Sequence, residues 1–449
     1  MDPLLTDLYQ LNMVQAYLDH DMTDTAVFEF FMRKLPEDRH FYVAAGLEQA
    51  LEYIETLRFP PETIKWLADT GRFRQNFLDY MSAFRFSGDI HAMPEGTVFF
   101  PDEPIIRVTA PLPEGQLLET GLINILHFQS LIASKAARVV IAAKGKTLVD
   151  FGLRRAHGGD AGLYAARASY LTGFAGTATV LANQCFGIPI FGTMAHSFVE
   201  AHDDETAAFM DFATSRPSGL TLLIDTYDTE EGARKVVEIA KQLREIDIKV
   251  RAVRLDSGDI EALSKSVRRI LDEGGCSDIT IFASGGLDET RIAKLLAAGA
   301  PIDGFGVGTS LTTSSDVPAF DCAYKLQSYA GKARAKKSTG KETLPGAKQV
   351  WRSYDDRGVM TGDFLSLATD SHGDTPLIKQ VMKDGVRVDP APSLDNIRAR
   401  FEREFQAMPE ILRRNEPLAP YQERLRAGRP YPVEIGPSLR DLAARTVPS

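Results

Sequence analysis

A strand–loop–helix unit recurs through the second half of the chain and constrains the fold more than any other feature. Apolar segments alternate with polar loops and helical segments at roughly 25 to 30 residues per repeat, the size of a βα unit. The predicted strands are 147–152, 188–193, 220–226, 249–258, 279–286 and 302–310. The predicted helices are 160–171, 177–186, 203–213, 229–244, 259–273 and 288–298. Such continuous apolar strands are typical of a parallel sheet buried on both faces.

The loops after these strands favour closure of the sheet into a barrel. Each predicted strand is followed by polar residues, and in an α/β barrel such residues share the rim at the carboxyl ends of the strands. No Gly-x-Gly-x-x-Gly fingerprint follows the first strand, which counts against an open dinucleotide-binding sheet. We therefore predict a parallel α/β barrel.

The flanking regions lack this regular alternation. Residues 1–145 mix helices and strands and end in a long apolar helix near 115–137, so they are predicted to form a separate N-terminal α/β domain with a linker helix. The barrel is assigned to residues 146–330. Residues 331–449 carry short strands and Pro-rich connections, and we expect them to pack back on the N-terminal domain.

Charge and cysteine content narrow the functional class. A net charge of −10 argues against broad electrostatic capture of nucleic acid or an anionic membrane. Cys185, Cys276 and Cys322 lie far apart without a CxxC pair, so neither a disulfide framework nor a zinc site is expected. The first residues do not resemble a signal peptide, and no apolar run is expected to reach the length of a membrane span. We expect a cytosolic protein that binds neither nucleic acid nor membrane.

Polar side chains collect at the carboxyl ends of the predicted strands. In chain order they are Arg154, Arg155, His196, Asp225, Arg254, Asp256, Ser284, Gly285, Gly286, Gly308 and Thr309. The Gly-containing loops 284–286 and 306–310 follow the last two strands, and glycine lets backbone N–H groups approach an anion closely. Either loop alone is explained equally well by a tight βα turn, but the two together favour a phosphate site.

Arg254 and Asp256 are two residues apart on a predicted strand, so their side chains share a face. If that face is the barrel mouth, the arginine can bind a carboxylate while the aspartate meets a sugar hydroxyl or a metal ion. A structural ion pair in the rim is an equally good interpretation of these two residues alone.

His196 differs from the other histidines in its small neighbours. A lone histidine is usually structural, and His202, which precedes two aspartates, indicates an exposed helix start. His196 lies at a strand end between Gly192-Thr193 and Ser197, where a ligand has room. A neutral imidazole is nucleophilic and can accept a phosphoryl group.

A series of short segments carries a more specific signal. They are TDLYQLNM (6–13), FGLRRA (151–156), GTMAHSF (192–198), LIDTYD (223–228), VRLDSGD (253–259), FGVGTS (305–310), YKL (324–326) and TLPGAK (343–348). In this order they resemble nicotinate phosphoribosyltransferases. The resemblance runs from residue 6 to about residue 350 and fades in the last hundred residues.

The resemblance implies a type II phosphoribosyltransferase, in which an irregular α/β barrel accompanies an α/β sandwich domain. It further implies a homodimer with active sites at the interface. The family reaction transfers phosphoribosyl from 5-phosphoribosyl 1-pyrophosphate to nicotinate and releases nicotinate mononucleotide and pyrophosphate. ATP hydrolysis is coupled through a phosphorylated histidine, and His196 holds that position in this sequence.

By the same resemblance, other positions acquire roles. The nicotinate contacts correspond to Tyr9, Thr193 and Arg254, whereas Thr309 and Arg154 correspond to contacts with the phosphoribosyl donor. These assignments agree with the chemistry of the ligands. Nicotinate is a planar carboxylate that suits an arginine, and the polyanionic donor suits arginines and Gly-rich loops.

The donor also suits Mg²⁺, which is held partly by carboxylates. Asp225 and Asp256 are the candidates, and Asp256 could alternatively stabilise the oxocarbenium-like charge that develops at the anomeric carbon. Many relatives carry Gly-Phe-Asp-Ser where this chain has Gly-Phe-Ala-Gly at 173–176. The acid is missing at Ala175, and Phe174 is a candidate for stacking on the substrate ring.

The sequence argues against three alternatives to nicotinate transfer. Nicotinamide phosphoribosyltransferase shares the fold, but it favours the amide with an added acid, and the neutral Ala175 argues for nicotinate. A non-catalytic relative that only binds the donor would be indicated by loss of His196, Arg254 or Asp256, and all three are present. Quinolinate transfer would need further basic residues for a second carboxylate.

Overall fold

The computed structural model describes residues 2–336, 338, 343–416 and 431–446. Contacts divide the chain into two compact units. Unit 1 combines residues 1–134 with 319–449, and unit 2 comprises residues 135–318. Unit 1 is therefore discontinuous in sequence, and the whole of unit 2 lies between its two parts.

The helices are α1 (Leu8–Asp19), α2 (Leu47–Thr56), α3 (Pro61–Asp69), α4 (Gln75–Ala83), α5 (Leu112–Leu117), α6 (Glu119–Ala143), α7 (Gly159–Leu171), α8 (Val180–Phe186), α9 (His196–Glu200), α10 (Glu205–Ser215), α11 (Thr229–Glu245), α12 (Ile260–Glu273), α13 (Glu289–Ala297), α14 (Thr309–Thr312), α15 (Leu394–Ala407) and α16 (Pro437–Thr446). Short 3-10 helices are formed by Leu153–Arg155 and Glu410–Arg413.

The strands are β1 (Thr25–Met32), β2 (Tyr42–Val43), β3 (Asp89–Ala92), β4 (Val98–Phe99), β5 (Pro104–Pro111), β6 (Thr147–Asp150), β7 (Gly176–Thr177), β8 (Leu220–Leu223), β9 (Val250–Leu255), β10 (Thr280–Ala283), β11 (Gly304–Val307), β12 (Cys322–Tyr329), β13 (Lys332–Ala333), β14 (Lys348–Tyr354), β15 (Met360–Leu367), β16 (Thr375–Pro376), β17 (Lys379–Lys383), β18 (Val386–Arg387) and β19 (Val433–Ile435).

Unit 2 is built on a six-stranded sheet with the order β7-β6-β11-β10-β9-β8. Every neighbouring pair in this sheet is parallel, as the sequence predicts. The sheet is a curled half-barrel whose edge strands are β7 and β8, and hydrogen bonds among the described residues do not close it. The predicted strand 188–193 contributes only a bridge between Thr177 and Ile190.

The six helices predicted in this region are present as α7, α8 and α10 to α13. Four of them begin at an aspartate whose carboxylate accepts a hydrogen bond from a backbone N–H of the first turn. These caps are Asp204, Asp228, Asp259 and Asp288. Each cap satisfies a backbone N–H group that has no partner within the helix, and so it marks the residue at which the helix begins.

Unit 1 is organised around a mainly antiparallel seven-stranded sheet with the order β13-β12-β1-β5-β3-β17-β18. The three strands β1, β5 and β3 from the first part of the chain form its centre, and strands from the second part flank them on both sides. Strand β1, for example, pairs with β12 on one side and with β5 on the other. A smaller sheet has the order β16-β14-β15-β19. In it Arg352 is fully buried, and its guanidinium donates to both carboxylate oxygens of Asp363 at 2.9 and 2.6 Å.

One expectation about apolar segments is wrong. Among the described residues, α6 is long and apolar enough to cross a bilayer by length and composition, although no such run is expected from the sequence. In the structure 72% of its most apolar window is buried inside the protein. The apolar residues of α6 are therefore used in packing, as in the core helix of a globular fold.

Candidate active site

The strand order of unit 2 brings the predicted site residues to one edge of the sheet. Arg154 follows β6, Thr309 follows β11, Ser284 follows β10, Asp256 follows β9 and Asp225 follows β8. These five strands are consecutive neighbours in the order of the sheet. Because all of them run in the same direction, their carboxyl ends lie side by side, and the loops that follow form a continuous rim.

A cavity of about 320 Å³ opens at this rim. Its wall includes nine of the residues predicted at the strand ends, namely Arg154, Arg155, Arg254, Asp256, Ser284, Gly285, Gly286, Gly308 and Thr309. The charged residues of the wall are three arginines and one aspartate, so the cavity suits an anionic ligand.

Arg254 is held by several partners in this wall. Its Nε donates to Ser284 Oγ at 2.8 Å, its Nη1 to Thr193 Oγ1 at 3.0 Å, and its Nη2 to Asp256 Oδ1 at 2.7 Å. The guanidinium carbon lies 5.5 Å from the centroid of the Phe151 ring. The plane of the guanidinium is therefore fixed, and the Arg254–Asp256 ion pair is part of the cavity wall.

Asp256 links this arginine to the histidine. Its Oδ1 accepts hydrogen bonds from Arg254 and from Ser284 Oγ, and its Oδ2 lies 3.9 Å from His196 Nε2. Burial raises the pKa of Asp256, but the hydrogen bonds from Ser284 and Arg254 outweigh it and hold the pKa below its ordinary value. The carboxylate is consequently ionised at neutral pH.

Asp225 has one satisfied and one unsatisfied carboxylate oxygen. Oδ2 accepts from the backbone N–H of Asp256 at 2.8 Å and from Ser257 Oγ at 2.6 Å. Oδ1 is buried and has no hydrogen-bond partner among the described residues. Because buried polar atoms are nearly always paired, this oxygen is a candidate to bind a cation or to accept a hydrogen bond from a ligand.

His196 is the first residue of α9, and its side chain is partly exposed. Its Nδ1 lies 3.2 Å from Thr226 Oγ1, whereas Nε2 faces Asp256. Thr226 follows β8 immediately after Asp225, and sequence reasoning missed it. The LIDTYD motif that contains Thr226 could have drawn attention to this hydroxyl.

Two glycines of the rim permit approaches that no side chain would allow. Gly285 has a φ of +89°, and a Cβ there would lie 1.9 Å from the backbone oxygen of Asp256. A Cβ at Gly306 would lie 2.4 Å from the ring of Phe151. These glycines therefore serve to bring the rim elements together, in addition to any role in binding phosphate.

Comparison with known proteins identifies the family. A sequence model of the nicotinate phosphoribosyltransferase N-terminal domain matches residues 4–127, and a model of the nicotinate phosphoribosyltransferase family matches residues 146–361. The chain belongs to the nicotinate phosphoribosyltransferase family. Family membership thus agrees with the resemblance found in the sequence motifs.

Similar members of this family include a nicotinate phosphoribosyltransferase of Mycobacterium tuberculosis, 48% identical over 98% of this chain and 93% of the relative. A second, from Bacillus subtilis, is 40% identical over 81% of this chain and 76% of the relative. Among solved structures, human nicotinic acid phosphoribosyltransferase superposes with a TM-score of 0.86 at 27% identity. That match covers 98% of this chain and all of the human chain, which confirms the α/β fold class.

The burial of Phe174 contradicts the prediction that its ring stacks on the substrate. Its ring is fully buried and lines neither of the two cavities described here, so it does not have the exposure that stacking on a substrate needs. Phe151, which was not expected, lies in the wall of the 320 Å³ cavity beneath Arg254. It lies three residues before the predicted Arg154 in the FGLRRA motif, and that proximity was the available signal.

Four further predicted residues do not line the 320 Å³ cavity, namely Tyr9, Thr193, His196 and Asp225. His196 and Asp225 adjoin it through Asp256, as described above. Thr193 lies in the wall of a second cavity of about 760 Å³, but its hydroxyl accepts the hydrogen bond from Arg254. Tyr9 belongs to unit 1, where it lies on α1 with 47% of its surface exposed. Its contact with nicotinate stays a prediction.

Proposed function

We propose that this chain transfers phosphoribosyl from 5-phosphoribosyl 1-pyrophosphate to nicotinate, in a reaction coupled to ATP hydrolysis through His196. The products are nicotinate mononucleotide and pyrophosphate, and the reaction serves NAD salvage. One observation carries the proposal for this family member: an arginine-rich cavity with two Gly-containing loops adjoins the Arg254–Asp256 pair at the strand ends.

The donor phosphates match the arginines and loops of the cavity. Arg154 and Arg155 lie in an exposed 3-10 helix after β6, and the loops 284–286 and 308–310 form the neighbouring part of the wall. Guanidinium groups bind phosphate oxygens with strong charge-assisted hydrogen bonds, and backbone N–H groups add donors without bringing further charge. In our proposal this side of the cavity binds the donor.

Nicotinate matches the other side of the cavity, where Arg254 is held. Its carboxylate would meet a guanidinium whose orientation is already fixed by Ser284, Thr193 and Asp256, so little side-chain entropy is lost on binding. The Phe151 ring offers an apolar face for the pyridine ring. Phe151 therefore replaces Phe174 as the proposed stacking residue.

Mg²⁺ is compatible with the carboxylates at the rim. The described residues contain no cluster of three or more acidic, histidine or cysteine ligands, but Mg²⁺ commonly uses one or two carboxylates together with substrate phosphates and water. Asp225, with its unpaired Oδ1, and Asp256 are the residues that would hold the ion. When bound, the ion would supply positive charge to the departing pyrophosphate.

Asp256 has a second proposed role in the transfer itself. The pyridine nitrogen of nicotinate forms a bond to the anomeric carbon of the ribose, and pyrophosphate leaves with the bonding electron pair. Positive charge develops on the sugar in an oxocarbenium-like transition state. The ionised carboxylate of Asp256 lies in the cavity wall and can stabilise this charge.

His196 is the proposed acceptor of the γ-phosphoryl group of ATP. Thr226 fixes the imidazole through Nδ1, and Asp256 lies on the Nε2 side, so the ring has a defined orientation. Phosphorylation would add negative charge to the rim next to the proposed donor site. A change of charge there can alter the affinity for the donor and the products, which is how hydrolysis of ATP would be linked to transfer.

We also propose that the enzyme is a cytosolic homodimer with active sites at the subunit interface. The dimer follows from the resemblance to the family, in which Tyr9 would contribute a nicotinate contact. Cys185, Cys276 and Cys322 are unpaired in the structure, which supports a reducing compartment.

Formation of mononucleotide from the donor and either nicotinate or nicotinamide, with and without ATP, tests the proposal. Nicotinate should be preferred by a factor of about 100 or more, because an amide leaves the charge of Arg254 imperfectly matched. Equal turnover of the two substrates would overturn the assignment of nicotinate.

The same assay with His196→Ala tests the coupling. The variant should lose ATP hydrolysis and ATP stimulation but keep some ATP-independent transfer, since the substrate sites remain. γ-labelled ATP should leave an acid-labile phosphate on the wild-type enzyme and none on the variant. If both proteins were labelled equally, His196 would have no part in the coupling.

A further inference from the structure

Lys135 is a buried cation in unit 2 that none of the proposed steps uses. It lies in the C-terminal half of α6, and only 2% of its side chain is exposed. A buried ammonium group is costly unless it is paired, so the identity of its partners matters.

The partners of Lys135 lie at the ends of the two proposed donor-binding loops. Its Nζ is 2.6 Å from Glu289 Oε2 and 2.7 Å from Asp316 Oδ1. Glu289 opens α13, two residues after Leu287 in the cavity wall. Asp316 directly follows Ser315, which also lines the cavity. A single ammonium group thus contacts both segments where they leave the cavity.

Two other contacts strengthen the same connection. The Ser310 hydroxyl donates to the backbone oxygen of Leu287, which joins the two loops directly. Arg138, one turn after Lys135 on α6, donates from Nε to Glu289 Oε1 at 3.0 Å. The cluster therefore pairs two cations with two carboxylates, and α6 anchors both loops.

The protonation state of the cluster is favourable. Burial raises the pKa of Glu289, but Lys135 and Arg138 more than offset it, so that the pKa lies below its ordinary value. Glu289 stays ionised across the neutral range, and the pair with Lys135 persists there.

We propose that Lys135 is a positioning residue that sets the spacing between the two loops and so tunes the affinity for the phosphoribosyl donor. The inference rests on the proposed function, because it takes the loops 284–286 and 308–310 as the donor-binding segments. Leu287 and Ser315, which also line the cavity, connect these segments to Glu289 and Asp316. Lys135 itself does not line the cavity described at the rim. It acts through the backbone of the loops, and nicotinate binding by Arg254 should depend on it much less.

Steady-state kinetics of Lys135→Met and Asp316→Asn test this role. Small misplacements of binding groups are costly, so we expect the KM for the donor to rise about tenfold in Lys135→Met, with the KM for nicotinate changed by less than about twofold. Asp316→Asn removes one of the two pairs and keeps the shape of the side chain. It should raise the donor KM by a smaller factor in the same direction.

Lys235→Met is the matched control. Lys235 Nζ lies 3.0 Å from the buried Glu205 Oε2, but this pair joins α10 and α11 and lies outside the cavity wall. The control should lower the thermal midpoint without separating the two KM values. If Lys135→Met fails to fold, Asp316→Asn decides the question.

The proposal is overturned if the donor KM is unchanged in the folded variants, or if both KM values rise together as in a general loss of stability. Failure of the proposed function has a different signature, because wild-type protein would then form no mononucleotide. A selective rise in the donor KM, absent from the control, supports the positioning role.

Discussion

At the scale of single residues, Arg254 organises the site because it reaches three loops at once. Ser284 belongs to the loop after β10, Thr193 to the segment before α9, and Asp256 to the loop after β9. Each partner restrains a different nitrogen, so the charge of the guanidinium is presented in one orientation. Preorganised charge of this kind discriminates between ligands better than a mobile side chain does.

Arg254→Ala should therefore raise the KM for nicotinate far more than the KM for the donor. Truncation of one partner in a buried charged pair costs roughly 2–5 kcal/mol, so the expected loss in nicotinate affinity is on the order of 30-fold or more. Substrate titrations on the purified variant measure both constants. Arg251→Ala, an exposed arginine on the same strand, is the control and should behave like wild type. An equal loss of both affinities would make Arg254 a scaffold residue.

The sequence predicts such positions better than it predicts contacts. Arg254, Asp256 and Ser284 were identified because they lie at strand ends, and the period of a βα repeat is a local property of the chain. The choice between Phe174 and Phe151 depends on which ring is covered by packing. That is decided by residues distant in sequence, and no local pattern carries it.

At the scale of elements, β11 packs against Phe151, the residue after β6, and this contact requires a glycine at position 306. The Phe151 ring occupies the space that a Cβ would need, and Arg254 lies above the same ring. The position of β11 therefore determines where the Phe151 ring lies in the cavity wall. Helices were predicted accurately here because their Asp caps and periodicity are local, whereas β7 and the bridge at Ile190 depend on pairing.

Gly306→Ala should displace Phe151 and weaken nicotinate binding. Overpacking of this kind costs roughly 1–3 kcal/mol, so we expect both a lower thermal midpoint and a higher KM for nicotinate. Calorimetry and substrate titration measure the two effects. Gly159→Ala is the control, because a Cβ there meets no atom within 4 Å. If the thermal midpoint and the nicotinate KM of Gly306→Ala equalled those of the wild type, the Phe151 ring would be free to move, and the expectation would be contradicted.

At the scale of the whole molecule, the buried carboxyl of Asp150 makes stability depend on pH. Asp150 ends β6 and accepts hydrogen bonds from Thr177 Oγ1 at 2.7 Å and from the Gly152 N–H at 2.8 Å. Burial nevertheless raises its pKa from 3.8 to about 6. Asp150 therefore binds a proton more tightly in the folded state than in the unfolded chain. Its contribution to the free energy of unfolding is largest at low pH, where the carboxyl is protonated in both states.

The contribution of Asp150 to the free energy of unfolding should therefore fall as pH rises from about 4 to about 6, by on the order of 3 kcal/mol. Asp150→Asn should remove this dependence. Unfolding midpoints of the variant and the wild type across that range measure it, and Asp160→Asn, at an exposed position, is the control. Parallel pH profiles for wild type and Asp150→Asn would contradict the expectation.

Which strands pair with each other was the feature that the sequence predicted least well. Strand β1 pairs along its length with β12, whose residues lie nearly three hundred positions later, and β3 pairs with β17. Local propensity marks each strand but does not indicate its partner. Only the completed structure shows that the two ends of the chain are built into one sheet.

This discontinuity has a consequence during synthesis on the ribosome. Strand β1 emerges early and can pair with β5, but it lacks β12, its neighbour on the other side, until residues 322–329 have been translated, and every strand of the half-barrel has emerged before then. The inserted unit therefore has the first opportunity to fold, and the exposed edge of β1 must wait. The backbone N–H and C=O groups along that edge stay without their β12 partners during that interval, and we expect β1 to be most prone to wrong pairing then.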